Sequence, residues 1–119
     1  MKKKLVSTIL AATAVGSMLV TGVSAEEAKT YNIGICQLVQ HVALDAATEG
    51  FKDALTDKFG DAVTFDEQNA QGDSNTCSTI INGFVSNGVD LILANATPAL
   101  QAAQAGTADI PILGTSVTE

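Results

Sequence analysis

The chain has 119 residues and a formal net charge of −7, and its six basic residues are all lysines. Neutralising phosphates requires clustered Lys and Arg, so this composition excludes nucleic-acid binding and disfavours docking to an anionic membrane surface. A chain of this length forms one domain or part of one.

Residues 1–25 have the features of a secretory signal peptide: a lysine-rich start, an apolar core and a small-residue end at Ala25. A transmembrane anchor is the alternative, but an apolar core of roughly 16 residues is shorter than the ~20 that a span needs. Cleavage leaves 94 of the 119 residues, in which three lysines face thirteen acidic residues for a formal charge of −10. No cysteine directly follows the apolar core, so we expect export by the Sec route to the periplasm or cell exterior, without a lipid anchor or membrane insertion.

After a short lead over residues 26–30, the pattern predicts a strand over residues 30–36 and a helix that Gly60 ends. Neither face of the strand is charged, as in strands covered on both sides. The helix places apolar residues on one face and polar residues on the other. The apolar residues are Leu44, Ala47, Phe51, Ala54, Leu55 and Phe59, and the polar residues include Asp45, Thr48, Glu49, Lys52, Asp53 and Asp57.

A second strand over residues 62–68 has one polar side, which is typical of a strand near a sheet edge. Asp73 is the expected N-cap of the second helix, whose predicted buried stripe is Cys77, Ile80, Ile81, Phe84 and Val85. Residues 89–94 form an apolar and therefore central third strand. Thr97 as N-cap and Pro98 at the first helical position begin a third helix, which Gly106 closes before a fourth strand over residues 110–115.

The predicted order is β-α-β-α-β-α-β, which indicates a parallel, doubly wound α/β sheet with helices on both faces. Such a sheet normally continues with another helix and strand, whereas this chain stops just past its fourth strand. We therefore expect an incomplete lobe, that is, a truncated chain.

In open α/β sheets, ligands lie outside the carboxyl ends of the strands. The four loops at that edge carry amides and hydroxyls, among them Asn95, and three of them lead into helix N-termini that favour an anionic group. The alternative is that these residues are only caps and turns. The candidate ligand-binding residues are Gln37, Leu38, His41, Asn69, Gln71, Ala96, Thr97, Pro98, Ala99, Thr115 and Ser116. Backbone N–H groups near residues 97–99 are the predicted anchor for a ligand carboxylate, although Pro98 cannot donate.

Catalytic interpretations have little support. Cys36 can be a core residue, a disulfide partner of Cys77 or a nucleophile, but a cysteine phosphatase needs an arginine beside its nucleophile. His41 can be a solvent-facing helix-start residue, a pocket edge or a base. We find no nucleotide-binding glycine motif and no metal-ligand spacing, so we predict no cofactor, no metal and no catalysis.

The segments "IGICQLVQHVALDAATEGFKDAL", "QNAQGD", "VDLILANATPALQAA" and "DIPILGTSVTE" resemble, in order, those of a group of bacterial ABC-transporter substrate-binding proteins. The group includes proteins similar to tryptophan or tyrosine uptake binders. This resemblance covers residues 31–119 and implies a flavodoxin-like, type I periplasmic-binding fold, with this chain supplying part of the N-terminal lobe of a two-lobed protein.

The resemblance further implies a monomer that binds a small, amino-acid-like ligand between its lobes and delivers it to an ABC permease with its ATPase. Two other functions remain open on the residues: an extracytoplasmic ligand-sensing domain of a receptor, and a secreted α/β hydrolase.

Overall fold

A computed structural model describes residues 29–118 of the chain. The predicted signal peptide and most of the predicted lead lie outside the described residues. Four strands alternate with three helices, which confirms the predicted order. The elements are β1 (Tyr31–Gln37), α1 (Val42–Phe59), β2 (Val63–Asn69), α2 (Ser74–Asn87), β3 (Leu91–Asn95), α3 (Thr97–Gly106) and β4 (Ile112–Thr115), with a short 3₁₀ turn, Gly60–Ala62, before β2.

The four strands form one parallel sheet in the order β2-β1-β3-β4. The predicted edge position of β2 and central position of β3 are both confirmed. Connections between parallel neighbours cross over a face of the sheet, which explains why a helix separates every pair of consecutive strands. The predicted parallel α/β class is therefore confirmed.

The two faces of the sheet pack against different helices. Ile33 and Ile35 of β1 lie with Leu93 of β3 in a cluster that Phe51, Leu55 and Phe59 of α1 cover. The opposite face contributes Cys36, Ile92 and Ala94 to a second cluster, which contains residues of α2 and α3. The alternation of β1 side chains between two apolar layers explains why the strand carries no charge on either face.

Gly34 permits the closest contact between the sheet and α2. A Cβ atom at this position would lie 2.6 Å from ring carbons of Phe84, a residue that is itself fully buried. The absence of a side chain at Gly34 thus sets how closely α2 approaches β1.

Three local predictions are wrong. Thr48, predicted on the polar face of α1, is the one residue of that helix that is fully buried, whereas Ala54 is exposed. Val85, predicted in the buried stripe of α2, is 37% exposed, because at about 100° per residue it lies at the margin of the face that Cys77 and Phe84 bury. Cys77, Ile81 and Phe84 form the buried face as predicted.

The third wrong prediction concerns the start of α3. Thr97 is the first helical residue and not the cap; Ala96 occupies the N-cap position and Pro98 follows Thr97. Asp73 caps α2 as predicted, with its carboxylate accepting from the backbone N–H groups of Asn75 and Thr76. Within residues 29–118, no helix combines the length and apolar character that crossing a bilayer would take.

Candidate functional site

The register of the sheet places four polar residues in one row at the carboxyl ends of the strands. Asn69 of β2 pairs with Gln37 of β1, Gln37 pairs with Asn95 of β3, and Asn95 pairs with Thr115 of β4. The loops that follow these residues therefore meet at one edge of the sheet. This edge carries all the residues that the sequence predicts as ligand-binding.

Gln37 is buried at this edge, and its side chain is engaged inside the protein. Its Nε2 donates to the carbonyl oxygen of Val39 at 2.9 Å and to Asp45 Oδ1 at 2.7 Å. Its Oε1 accepts from the Thr48 hydroxyl at 2.7 Å. The amide of Gln37 thus connects β1 to the following loop and to the first turns of α1.

Asn95 lies beside Gln37 and is fully buried. Its Nδ2 donates to the carbonyl oxygen of Leu44 and to Thr48 Oγ1, each at 2.8 Å. Its Oδ1 is buried and has no hydrogen-bond partner among the residues of the described structure. An orphaned buried acceptor of this kind is uncommon in native proteins.

The loop after β1 is tied to both neighbouring strand ends. Leu38 donates its N–H to the carbonyl oxygen of Asn95 and accepts from the N–H of Gly72. His41 is exposed at the N-cap of α1, where its Nδ1 accepts from the backbone N–H of Ala43 at 3.1 Å. This position agrees with the helix-start interpretation of His41. Its ring has no hydrogen bond or ion pair with a carboxylate in the part of the chain that the structure describes.

The loop after β2 forms a tight polar turn. Asn69 Oδ1 accepts from the N–H of Gln71 at 2.7 Å, and both Gln71 and Gly72 adopt positive φ angles. Val39, Gln40, Asn69 and Gln71 line an open depression of about 410 Å³ between this loop and the loop after β1. Two smaller depressions, of about 210 and 270 Å³, lie away from the carboxyl edge.

The start of α3 is held in an unusual conformation. Ala96 is 7% exposed and has φ 102° and ψ 159°, a strained region for a residue with a Cβ atom. No side chain caps this helix. The Thr97 hydroxyl instead accepts from the N–H of Thr118 and donates to its carbonyl oxygen. Among residues 29–118, the first-turn N–H groups of Thr97 and Ala99 therefore have no intrahelical or side-chain partner, since a helix begins its own bonds one turn later.

β4 and the loop after it contribute the last two candidate residues, Thr115 and Ser116. The carbonyl oxygen of Thr115 accepts from the N–H of Ala96 at 2.9 Å, and Ser116 is exposed with φ 59°. The loop after β4 thus lies directly against the start of α3. All eleven predicted residues lie at the carboxyl edge, although they differ widely in exposure: Gln37, Ala96 and Ala99 are buried, while His41, Asn69, Gln71 and Ser116 are exposed.

The thiols of Cys36 and Cys77 do not lie in the loops of the carboxyl edge, and neither is placed to act as a nucleophile. Both are free and fully buried in the cluster between the sheet and α2. Burial raises the pKa of Cys36 from 9.0 to about 12, with the neighbouring Cys77 adding to the shift. The core interpretation of Cys36 is confirmed, because a nucleophilic cysteine needs a lowered pKa and access to a substrate. A search of residues 29–118 finds no cluster of metal-ligating side chains.

Two polar residues of the site were not predicted as such. Thr48 belongs to the network although its position in the helical pattern suggested solvent, and Asp45 accepts from Gln37 at the helix start. The sequence offers one weak signal for these two residues. Both are polar residues in the first turns of a helix that follows a strand ending in an amide. Asn95 was recognised as a polar loop residue but not included among the ligand-binding residues.

Known proteins are similar to this chain in both sequence and fold. The family model for ABC transporter substrate binding protein matches residues 32–119. A tyrosine-binding protein from Clostridioides difficile (strain R20291) is 43% identical over 133 residues, an alignment that covers 98% of this chain and 38% of that protein.

Among the similar solved structures are three for which the match covers 76% of this chain and 32% of the other chain. One is a ligand-free, open structure of a substrate binding protein with adhesive properties from Clostridium difficile, 47% identical with a TM-score of 0.72. The second is a conserved domain protein from Vibrio cholerae, 37% identical with a TM-score of 0.73. The third is an ABC domain in complex with L-Trp from Streptococcus pneumonia, 33% identical with a TM-score of 0.72.

The chain thus spans less than two fifths of the length of these relatives. The family model nevertheless covers most of this chain, and the predicted family is confirmed. Its members bind solutes and are not enzymes, in agreement with the prediction of a non-catalytic protein. From the match over residues 32–119 and the shared fold, the chain belongs to the family of ABC transporter substrate-binding proteins.

Proposed function

We propose that this chain forms one wall of the ligand cleft of an extracytoplasmic solute-binding protein that serves an ABC importer. The observation that carries the proposal is the row of polar strand ends that leads to the uncapped start of α3. In open α/β sheets this edge is where ligands bind. An amino acid is the ligand class that these groups fit best.

The start of α3 is the proposed anchor for the ligand carboxylate. The N–H groups of Thr97 and Ala99 point along the helix axis from its N-terminal end, where the aligned peptide dipoles favour negative charge. Thr97 is the half-buried donor that a ligand can approach, whereas Ala99 is fully buried in this chain. The Thr97 hydroxyl is engaged with Thr118 and does not compete for these N–H groups. A carboxylate can therefore be held at this edge although the chain has no arginine.

The other groups at the edge are neutral amides and hydroxyls, which suit hydrogen bonds to the rest of a zwitterionic ligand. Gln40, Asn69 and Gln71 line the depression beside the loop after β1. Aromatic platforms of the kind that hold sugars are missing from the four edge loops of this chain. Two of the similar proteins are described as tyrosine-binding and as a complex with L-Trp, which supports an aromatic amino acid as the ligand.

The rest of the proposal follows the family. Residues 31–119 would be part of the N-terminal lobe of a two-lobed, monomeric protein that is exported by the Sec route. Ligand held between the lobes would stabilise a closed form through a hinge motion, and that form would be the one offered to the permease and its ATPase. No cofactor or metal enters this mechanism.

Isothermal titration calorimetry of the protein that carries this chain, at the full length its gene encodes, tests the proposal. L-tyrosine and L-tryptophan are compared with tyramine and tryptamine, which have the same rings and amines but no carboxylate. We expect at least one amino acid to bind and its decarboxylated analogue to bind at least about tenfold more weakly, as expected when a charge-assisted hydrogen-bond pair is lost. Equal binding of acid and amine would remove α3 as the carboxylate anchor, and binding of none of the four would remove the aromatic amino acid as the ligand.

A further inference from the structure

Gln37, Thr48 and Asn95 form a buried polar cluster between the sheet and α1, here called the polar clasp. Their exposed fractions are 3%, 1% and 0%. The hydrogen bonds run in one direction: Asn95 Nδ2 donates to Thr48 Oγ1, Thr48 donates to Gln37 Oε1, and Gln37 Nε2 donates to Asp45 Oδ1. Thr48 connects the two amides, because its hydroxyl accepts from Asn95 and donates to Gln37.

The polar clasp reaches three segments that line the carboxyl edge. Through Gln37 it fixes the carbonyl oxygen of Val39 in the loop after β1, and through Asn95 it fixes the carbonyl oxygen of Leu44 in the first turn of α1. Asn95 is also bonded covalently to Ala96, whose strained backbone starts α3. The N-terminal ends of α1 and α3 are thus joined by side chains and not only by the sheet.

Strain at Ala96 requires support from its surroundings, since a residue in a sparsely populated backbone region persists only where neighbouring contacts over-determine it. Two of those contacts are backbone bonds, from Ala96 N–H to Thr115 and from Leu38 N–H to the Asn95 carbonyl oxygen. The side chain of Asn95 adds two more, to Leu44 and Thr48. These four bonds fix both polar atoms of the Asn95–Ala96 peptide group and the side chain of Asn95, directly before α3.

A stabilising role alone does not account for the composition of the polar clasp. Apolar side chains of similar volume fill such a position without needing matched partners, and a partly satisfied buried network is costly. Asn95 Oδ1 is buried and finds no hydrogen-bond partner in residues 29–118, so the cluster retains an unfavourable feature. Polar side chains in this place instead specify one geometry, because hydrogen bonds have direction and apolar contacts do not.

We propose that Thr48 is a positioning residue for the ligand site: through Gln37 and Asn95 it holds the start of α3 in the geometry that receives the ligand. This inference rests on the proposed function for its binding consequence, and on the hydrogen bonds of the polar clasp for its structural consequence. Thr48 itself contacts no ligand, because it is buried beneath the edge.

The test compares three variants of the protein that carries this chain. Thr48→Val keeps the shape of the side chain and removes the hydroxyl, while Thr48→Ser keeps the hydroxyl and removes the methyl group. Thr56→Val makes the same chemical change as Thr48→Val on the exposed face of α1 and is the matched control. Amide chemical shifts of residues 96–99 in the ligand-free protein report the geometry of the α3 start. Calorimetry with L-tyrosine and L-tryptophan reports binding.

We expect Thr48→Val to move the amide resonances of Thr97 and Ala99 and to weaken amino-acid binding about tenfold, as for the loss of a well-placed hydrogen bond. Thr48→Ser should restore both readouts toward the wild type, and Thr56→Val should leave both unchanged. If Thr48→Val changes only resonances of α1 and leaves residues 96–99 unmoved, the inference is overturned. An equal loss of binding in Thr48→Ser would also overturn it, since the hydroxyl would then be irrelevant.

Two further outcomes are separable. If the wild type binds neither amino acid, the proposed function fails, while the amide shifts of residues 96–99 still decide whether the polar clasp positions α3. If Thr48→Val does not fold, Thr48→Ala takes its place, because it removes the same hydroxyl, which bonds to Gln37 and to Asn95. Unchanged resonances of Thr97 and Ala99 in that variant would overturn the inference in the same way.

Discussion

Gly34 lies in the middle of β1 at the point where the ring of Phe84 presses against the sheet. A Cβ atom there would be 2.6 Å from two ring carbons, far inside van der Waals contact. Because Phe84 is fully buried in a close-packed cluster, the ring has no open space into which to move. The backbone and the helix must therefore separate if any larger residue replaces this glycine.

We predict that Gly34→Ala lowers the free energy of unfolding by about 2 kcal/mol, within the usual range for overpacking a core. Gly50→Ala is the matched control, since its Cβ atom would have no neighbour within 4 Å on α1. That control should raise stability by about 0.5–1 kcal/mol, because alanine is the better helix former. Urea denaturation followed by circular dichroism measures both, and equal effects of the two substitutions would contradict the close contact with Phe84.

The buried thiols give the protein a specific sensitivity to alkaline pH. Burial raises the pKa of Cys36 from 9.0 to about 12 and also raises that of Cys77. Below pH 9 the Cys36 thiol is protonated in both the folded and the unfolded chain. As pH rises from 9 toward 12, the unfolded chain loses the Cys36 proton and the folded protein keeps it, so stability falls across this window.

Urea denaturation at pH 8 and pH 10 measures this loss. Cys36→Ala should be less stable at pH 8, because a buried group is removed, but its stability should fall less between the two pH values. Every titratable group other than Cys36 is present in both proteins, so the comparison isolates the effect of this thiol. An identical pH dependence in the wild type and Cys36→Ala would show that the Cys36 thiol does not carry the effect.

Helix α2 begins at an N-cap residue, Asp73, that the sequence predicts directly. Asp73 accepts from the N–H of Thr76 at 3.1 Å and from the Thr76 hydroxyl at 2.6 Å. These bonds, led by the one from the hydroxyl, lower the pKa of Asp73 from 3.8. A carboxyl with a lowered pKa stabilises the fold above its unfolded pKa, and this stabilisation is lost as pH falls through its folded pKa.

We therefore predict that Asp73→Asn keeps near wild-type stability at pH 7, because asparagine caps helices comparably, and loses less stability than the wild type between pH 5 and pH 3. Asp73→Ala should be less stable than both at pH 7. Thermal denaturation of the three proteins at each pH measures the differences. Equal melting temperatures of Asp73→Ala and the wild type at pH 7 would contradict the capping role.

The helices and strands also show which features of the fold the sequence alone could predict. The type and order of the strands and helices follow from hydrophobic periodicity, and the Asp73 cap from local chemistry, so both were predictable. Thr48 was not, because its place on the helical pattern groups it with charged neighbours. Its burial depends on the amides of Gln37 and Asn95, which come from strands 11 residues before it and 47 residues after it.

The start of α3 shows a second limit. A threonine before proline has the local signature of an N-cap. The Thr97 hydroxyl is instead bonded to Thr118, in the segment after β4, and Ala96 occupies the N-cap position. The sequence placed the candidate residues at the carboxyl edge of the sheet, where the structure brings them together, because parallel topology fixes where the loops lie. Which of those side chains remain accessible depends on long-range pairing, which no local pattern contains.

At the scale of the whole molecule, the described residues form one polar edge on a two-sided core. The chain spans less than two fifths of the length of its relatives. The proposed cleft requires a second wall opposite the carboxyl edge. The depression of about 410 Å³ on this chain is open, so a ligand bound to it alone remains exposed to water on one side.

We predict that the 119-residue chain by itself binds L-tyrosine and L-tryptophan far more weakly than the protein at the full length its gene encodes. Contacts from a single wall leave half the ligand solvated, and no lobe closure contributes to binding. Calorimetry on both proteins under one set of conditions makes the comparison. Micromolar binding by the 119-residue chain would contradict the two-walled site.

The strand order has a consequence for how the chain acquires its structure. β1 is the first strand in the chain but lies inside the sheet, and its partners β2 and β3 occupy residues 63–69 and 91–95. Its hydrogen bonds therefore close over long sequence separations, which slows folding because the loop entropy must be lost before the contacts form. While the chain is being synthesised, β1 has no partner on its β3 side until residue 95 has emerged, so the sheet cannot close around β1 before most of this chain has been made.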